Sequence, residues 1–144
     1  MRILVDTSII VEIDRQNKDT IEILKTFVEK NVDLVISTIT VSEILTGSYL
    51  QKDVKKSVIT AKEVLNQFSW VDVNGEIAEK TGQLLAYLIT EKKSIEYQDV
   101  VICATFLASH SDYLLTLNKK DFLAFPTLKG KVFSPGDFKE LKIL

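Results

Sequence analysis

Two scarce residue types limit the chemistry of this chain before any motif is read. Cys103 and His110 are the only cysteine and the only histidine in 144 residues. A zinc site draws three or four ligands largely from these two types, so neither a structural nor a catalytic set can be assembled. An intrachain disulfide is ruled out for the same reason. The lone thiol, set in V-V-I-C-A-T-F-L-A, is expected to be a small buried residue in a reducing, cytoplasmic setting. A pair of histidines working as acid and base near neutrality is also absent. His110 itself, in A-S-H-S-D, is expected at a surface helix end. The five glycines form neither G-x-G-x-x-G nor G-x-x-x-x-G-K-[ST], which disfavours both phosphate-cradling nucleotide folds. No G-x-S-x-G elbow offers a nucleophilic serine. Apolar runs are short: Asp6 stops the run Ile3 to Val5, and Val100 to Ala108 falls far below the roughly 20 residues of a membrane span. Neither a signal peptide nor a transmembrane segment is expected.

What is present is an ordinary core. With 46% hydrophobic and 26% charged residues, the chain reads as one globular domain over residues 1–144. Short β-type runs fall at Arg2 to Val5, Leu34 to Ile36, Trp70 to Val73, Tyr113 to Thr116 and Lys131 to Phe133. Helical spacing lies between them: Ile9, Ile10 and Ile13; Ile21, Leu24 and Val28; Thr40 to about Leu50; Ile77, Leu84, Leu85 and Leu88; and the segment holding Asp99 and Cys103. Val54, Val58, Ala61, Leu65 and Phe68 form a further stripe, expected to face the core. Strands alternating with helices predict an α/β fold, a mostly parallel sheet of about five strands with helices on both faces.

Four carboxylates stand just after apolar runs or at helix mouths: Asp6 in R-I-L-V-D-T-S, Glu43 in T-V-S-E-I-L, Asp99 in Y-Q-D-V-V-I-C-A and Asp121 in T-L-N-K-K-D-F. Each has a structural reading. Thr40 to Glu43 fits a capping box, Asn118 to Asp121 could cap a single turn, Asp99 suits the positive end of a helix, and Asp6 could be a plain N-cap. Together they read differently. Parallel α/β sheets gather functional groups at strand C-terminal ends, and like charges about 4 Å apart repel by roughly 4 kcal/mol at an effective dielectric near 20. A hard, oxygen-ligated Mg²⁺ or Mn²⁺ would relieve that repulsion. Charge is also uneven. Residues 1–114 hold 12 basic and 17 acidic side chains, residues 115–144 six and three, so Lys119 and Lys120 beside Asp121 could meet phosphate.

These motifs, in this order over nearly the whole chain, resemble the PIN domain, and the compact size is similar to the VapC-type toxins of toxin–antitoxin pairs. The resemblance implies a Mg²⁺- or Mn²⁺-dependent endoribonuclease, a homodimer, and a cognate antitoxin that covers the site. It implies Asp6, Glu43 and Asp99 as the core acids. Many members carry aspartate where Asn118 stands, so either Asp121 supplies the fourth ligand or Asn118 holds a metal-bound water. Thr7, Ser8 and Thr116 are expected to orient the ligands through their hydroxyls. Two other functions fit the same motifs: a PIN nuclease of RNA maturation or decay without an antitoxin, and a catalytically silent module that binds RNA or protein.

Overall fold

The computed structural model describes residues 1–141. It is built on a five-stranded, wholly parallel sheet in the order β3-β2-β1-β4-β5. The strands are β1 (Arg2–Val5), β2 (Asp33–Ser37), β3 (Ser69–Val71), β4 (Tyr113–Leu115) and β5 (Val132–Phe133). Between and after them run α1 (Thr7–Asp14), α2 (Lys18–Glu29), α3 (Thr38–Tyr49), α4 (Val54–Leu65), α5 (Gly75–Thr90), α6 (Tyr97–Ala108), the one-turn α7 (Lys119–Phe122) and α8 (Pro135–Leu141). The expected parallel α/β sheet with helices on both faces is what forms.

The pleat of β1 divides the core in two. Ile3 and Val5 point to one face with Leu34 and Ile36 of β2, under Ile9, Ile10, Leu24, Phe27, Leu65 and Phe138. Leu4 points to the other, with Val35 and Leu114, under Val100, Ile102, Cys103, Phe106, Phe122 and Phe125. A strand buried on both faces must be apolar at every position, which is why R-I-L-V carries no alternation. Cys103 is fully buried, and burial pushes its thiol up to about 12, so it packs as a small hydrophobe. His110 is exposed at the end of α6 in a left-handed conformation, φ +53°.

Several local expectations shift. In α2 the buried residues are Thr20, Ile23, Leu24 and Phe27, while Val28 is 64% exposed; the larger Phe27 takes the inward place, packed edge-on against Phe138 at 4.9 Å between ring centroids. The stripe on α4 is core only at its end. Leu65 and Phe68 are buried, but Val54 is exposed and Val58 and Ala61 are only partly covered. The third and fifth strands are shorter than expected, Ser69–Val71 and Val132–Phe133.

Chain connectivity sets the site. The chain leaves β1 toward β2 and β3, then crosses back to place β4 on the other side of β1. The C-terminal ends of β1 and β4 therefore flank the point where strand order reverses, the usual crevice of an open parallel sheet. Truncating Phe27→Ala should cost about 3–5 kcal/mol of stability, because the cavity would lie between β1, α2 and α8; urea unfolding measures it.

Candidate active site

Asp6 is the residue that follows β1, and it is only 2% exposed. It holds the N-cap position of α1, yet its side chain makes no capping bond. Its Oδ2 instead accepts hydrogen bonds from Ser8 Oγ and Thr116 Oγ1, both at 2.7 Å. The direction of those bonds is fixed from behind. The Leu117 amide donates to Ser8 Oγ at 3.0 Å and the Asn118 amide to Thr116 Oγ1 at 2.9 Å, so each hydroxyl turns its proton to the carboxylate. Two hydroxyl donors thus offset part of the cost of burying the Asp6 carboxylate. Its other oxygen takes no hydrogen bond from the described residues, and no buried side-chain oxygen or nitrogen is left without a partner there. That oxygen is therefore open to the crevice.

Glu43 comes from α3. The capping box expected at Thr40 does not form, because the helix starts earlier: Ser37 is its N-cap, accepting from the Ile39 amide at 3.2 Å. Glu43 then lies in the second turn with its carboxylate free to leave the helix. Its Oε1 accepts from Thr7 Oγ1 at 2.8 Å. Thr7 has one proton to give, so Thr40, 2.9 Å away and fully buried, must donate to Thr7. The D-T-S motif thus serves two acids: Thr7 fixes Glu43, and Ser8 fixes Asp6.

Asp99 lies in the first turn of α6, and Asp121 on α7. Burial first, then the charges of Asp6, Asp121, Glu43 and Glu96, push the Asp99 carboxyl up to about 7. Glu43 is likewise raised, by burial and by the charges of Asp6 and Glu96, against the lowering effect of the Thr7 hydrogen bond. The four acids expected from sequence therefore share one electrostatic neighbourhood. Glu96, the N-cap of α6, joins them. Sequence reasoning missed it, although the spacing E-x-x-D before Asp99 was the available signal.

Among the described residues no lysine or arginine pairs with these acids. The ion pairs among the described residues are Arg2 with Asp33, Arg15 with Glu12, Lys119 with Asp137, and Lys139 with Asp19, none of them in the crevice set. Lys119 donates to Asp137 at 2.7 Å while its side chain stays 40% exposed. Lys120 and Asn118 are exposed. Asn118 caps nothing with its side chain. Among the described residues no three acidic, histidine or cysteine side chains are gathered closely enough to enclose an ion by themselves. The donor set nonetheless fits a hard dication: carboxylates and hydroxyls, oxygen throughout, with the Asp99 and Glu43 carboxyls raised by burial and by neighbouring negative charge.

A groove of about 680 Å³ opens beside Glu43 between α1, α3 and α4, floored by Ile10, Val11, Ile44, Ala61 and Val64. Ala61 of the expected core stripe lines this groove.

The PIN domain family profile matches residues 3–126, and the chain belongs to that family. Its fold is similar to VapBC2 from Rickettsia felis bound to a promoter DNA fragment, with TM-score 0.83 and 22% identity over 93% of this chain and 98% of that one. It is also similar to VapBC-1 from nontypeable Haemophilus influenzae, with TM-score 0.81, 22% identity and coverage of 94% and 99%. FitAcB from Neisseria gonorrhoeae gives TM-score 0.77, 26% identity and coverage of 93% and 98%. No curated protein matches the chain. No helix among the described residues is long and apolar enough to cross a membrane.

The raised Asp99 has a signed consequence. Its folded value of about 7 lies above the ordinary 3.8, so between these limits the folded state binds more protons than the unfolded one. In EDTA, the contribution of this group to stability is fully present below about pH 4 and is lost as pH rises through about 7. Asp99→Asn should flatten this dependence and melt above the wild type at pH 8, as read by thermal unfolding across pH.

Proposed function

We propose that the chain is a Mg²⁺- or Mn²⁺-dependent endoribonuclease and the toxin of a type II toxin–antitoxin pair, a cytoplasmic enzyme that hydrolyses RNA phosphodiester bonds with an activated water. The observation that carries this reading is the acidic crevice at the switch point, where burial first, and then the charges of Asp6, Asp121, Glu43 and Glu96, push Asp99 up to about 7. Asp6 and Asp99 would hold the principal ion, with Glu43 ligating directly or through water. When bound, the ion would lower the pKa of a water and offset charge on the scissile phosphate.

The protein's own groups do the rest. Ser8 and Thr116 fix which Asp6 oxygen faces the crevice. Thr7 sets the rotation of Glu43. Asp121 orients the attacking water and takes its proton at the carboxylate, while Asn118, at the mouth of α7, is placed to hold a water at the fourth acidic position. Lys120, exposed beside Asp121, contacts the RNA backbone.

The antitoxin reading is supported by the toxin–antitoxin complexes that share the fold and by the apolar groove that begins at Glu43. A partner lying in that groove would reach the acids directly. A homodimer belongs to the same reading.

Cleavage of mixed cellular RNA should require Mg²⁺ or Mn²⁺, stop in EDTA, leave 5′-phosphate and 3′-hydroxyl ends, and fall by about a hundredfold or more in Asp6→Asn and Asp99→Asn. Cleavage that survives the chelator, or products ending in 2′,3′-cyclic phosphate, would overturn the mechanism. Thr116→Val removes the hydroxyl that orients Asp6 and accepts from the Asn118 amide, and should weaken Mn²⁺ affinity about 10- to 100-fold, measured by calorimetry.

A further inference from the structure

The family match ends at residue 126, yet the segment after it reaches back to Lys119 on the helix that carries one of the acids. Asp121 rides on α7, a helix of four residues. So short a helix has no cooperative stability of its own. Its sequence is also unfavourable at the start, since Lys119 and Lys120 put positive charge where the helix dipole is already positive, and Asn118 makes no side-chain cap. One end is well anchored: Phe122 and Phe125 are buried. The other end is held at the Asn118 amide by Thr116 Oγ1 at 2.9 Å, and at Lys119 from outside.

That hold comes from Asp137 in the first turn of α8. Ser134 and Asp137 form a reciprocal cap, in which the Asp137 amide donates to Ser134 Oγ at 3.4 Å and the Ser134 amide to Asp137 Oδ2 at 2.8 Å. The same Oδ2 accepts from Lys119 Nζ at 2.7 Å. The Lys119 ammonium and the Ser134 cap together hold the Asp137 carboxyl well below the usual range, so it stays ionised across the working pH range. The α8 that carries it is itself fixed to the body through Phe138 on Phe27 and Lys139 on Asp19. A rigid element beyond the family match thus supplies the negative charge that the start of α7 lacks.

We propose that Asp137 is a positioning residue, acting through Lys119 to hold α7 so that Asp121 faces the acidic crevice. The catalytic consequence rests on the nuclease reading above; the mechanical one does not. Asp137→Asn keeps an oxygen for the Ser134 amide and removes only the ion pair, so it isolates the brace from the cap.

The test measures two quantities on the full chain: amide hydrogen exchange at Leu123, whose N–H closes α7 on the Lys119 carbonyl at 2.9 Å, and Mn²⁺-supported RNA cleavage. In Asp137→Asn and in Lys119→Met, exchange at Leu123 should quicken by about fivefold or more while α8 amides are unchanged. Over the same pair kcat should fall about three- to tenfold with KM nearly constant. The double variant should be no worse than either single, as expected of one shared interaction, and Asp137→Glu should restore both readouts. Unchanged exchange and kcat, or losses that add in the double variant, would overturn the brace while leaving cleavage by the wild type intact. A wild type that cleaves no RNA, with exchange still responding as stated, would retain the brace and remove the nuclease.

Discussion

The structure depends most on a carboxylate between two hydroxyls. Asp6 must leave β1 at the centre of the sheet, where a charge is costly to bury, and Ser8 and Thr116 make that position tolerable by donating to one of its oxygens. Because Thr116 follows β4, the same bonds join the neighbouring strand ends across the switch point. The site is therefore part of the sheet's closure, and the open oxygen of Asp6 is left over from a structural solution.

The remaining acids are arranged around that fixed point at a cost in free energy. Asp99 and Glu43 are held partly buried beside like charge, and both are raised toward their protonated forms. Elsewhere on the chain acids find partners, as Asp33, Asp19 and Asp137 do. A fold that gathers acids in one partly buried crevice with no lysine or arginine paired to them among the described residues has a local repulsion that a bound cation would relieve.

The sheet and the four acids were legible in the amino-acid order because both are written locally. A continuous run such as I-L-V stopped by Asp6 says buried strand and charged end in one phrase, and D-V-V-I-C-A does the same for α6. What escaped was whatever depends on a distant partner. Thr40 to Glu43 has the spacing of a cap, but Ser37 had already capped the helix, and only the fold reveals that Thr7 is what Glu43 meets. Glu96 looks like an ordinary exposed residue at a helix start until Glu43 and Asp99 are seen near it. Val28 and Phe27 are both compatible with a helical stripe, and Phe138, more than a hundred residues on, decides for Phe27. Charge counting found the basic C-terminal segment but could not see that Asp137 claims Lys119.

The bond from Thr116 to Asp6 spans 110 positions of sequence, and this distance matters during biosynthesis. Chains fold progressively as they emerge, yet β1, made before β4, can find it only when the residues between them have left the ribosome. Until then the leading strand has one parallel neighbour, and its terminal carboxylate lacks one of its two hydroxyl donors. A molecule translated only that far has no assembled crevice, so whatever chemistry this centre performs begins only after the message has been read past Thr116.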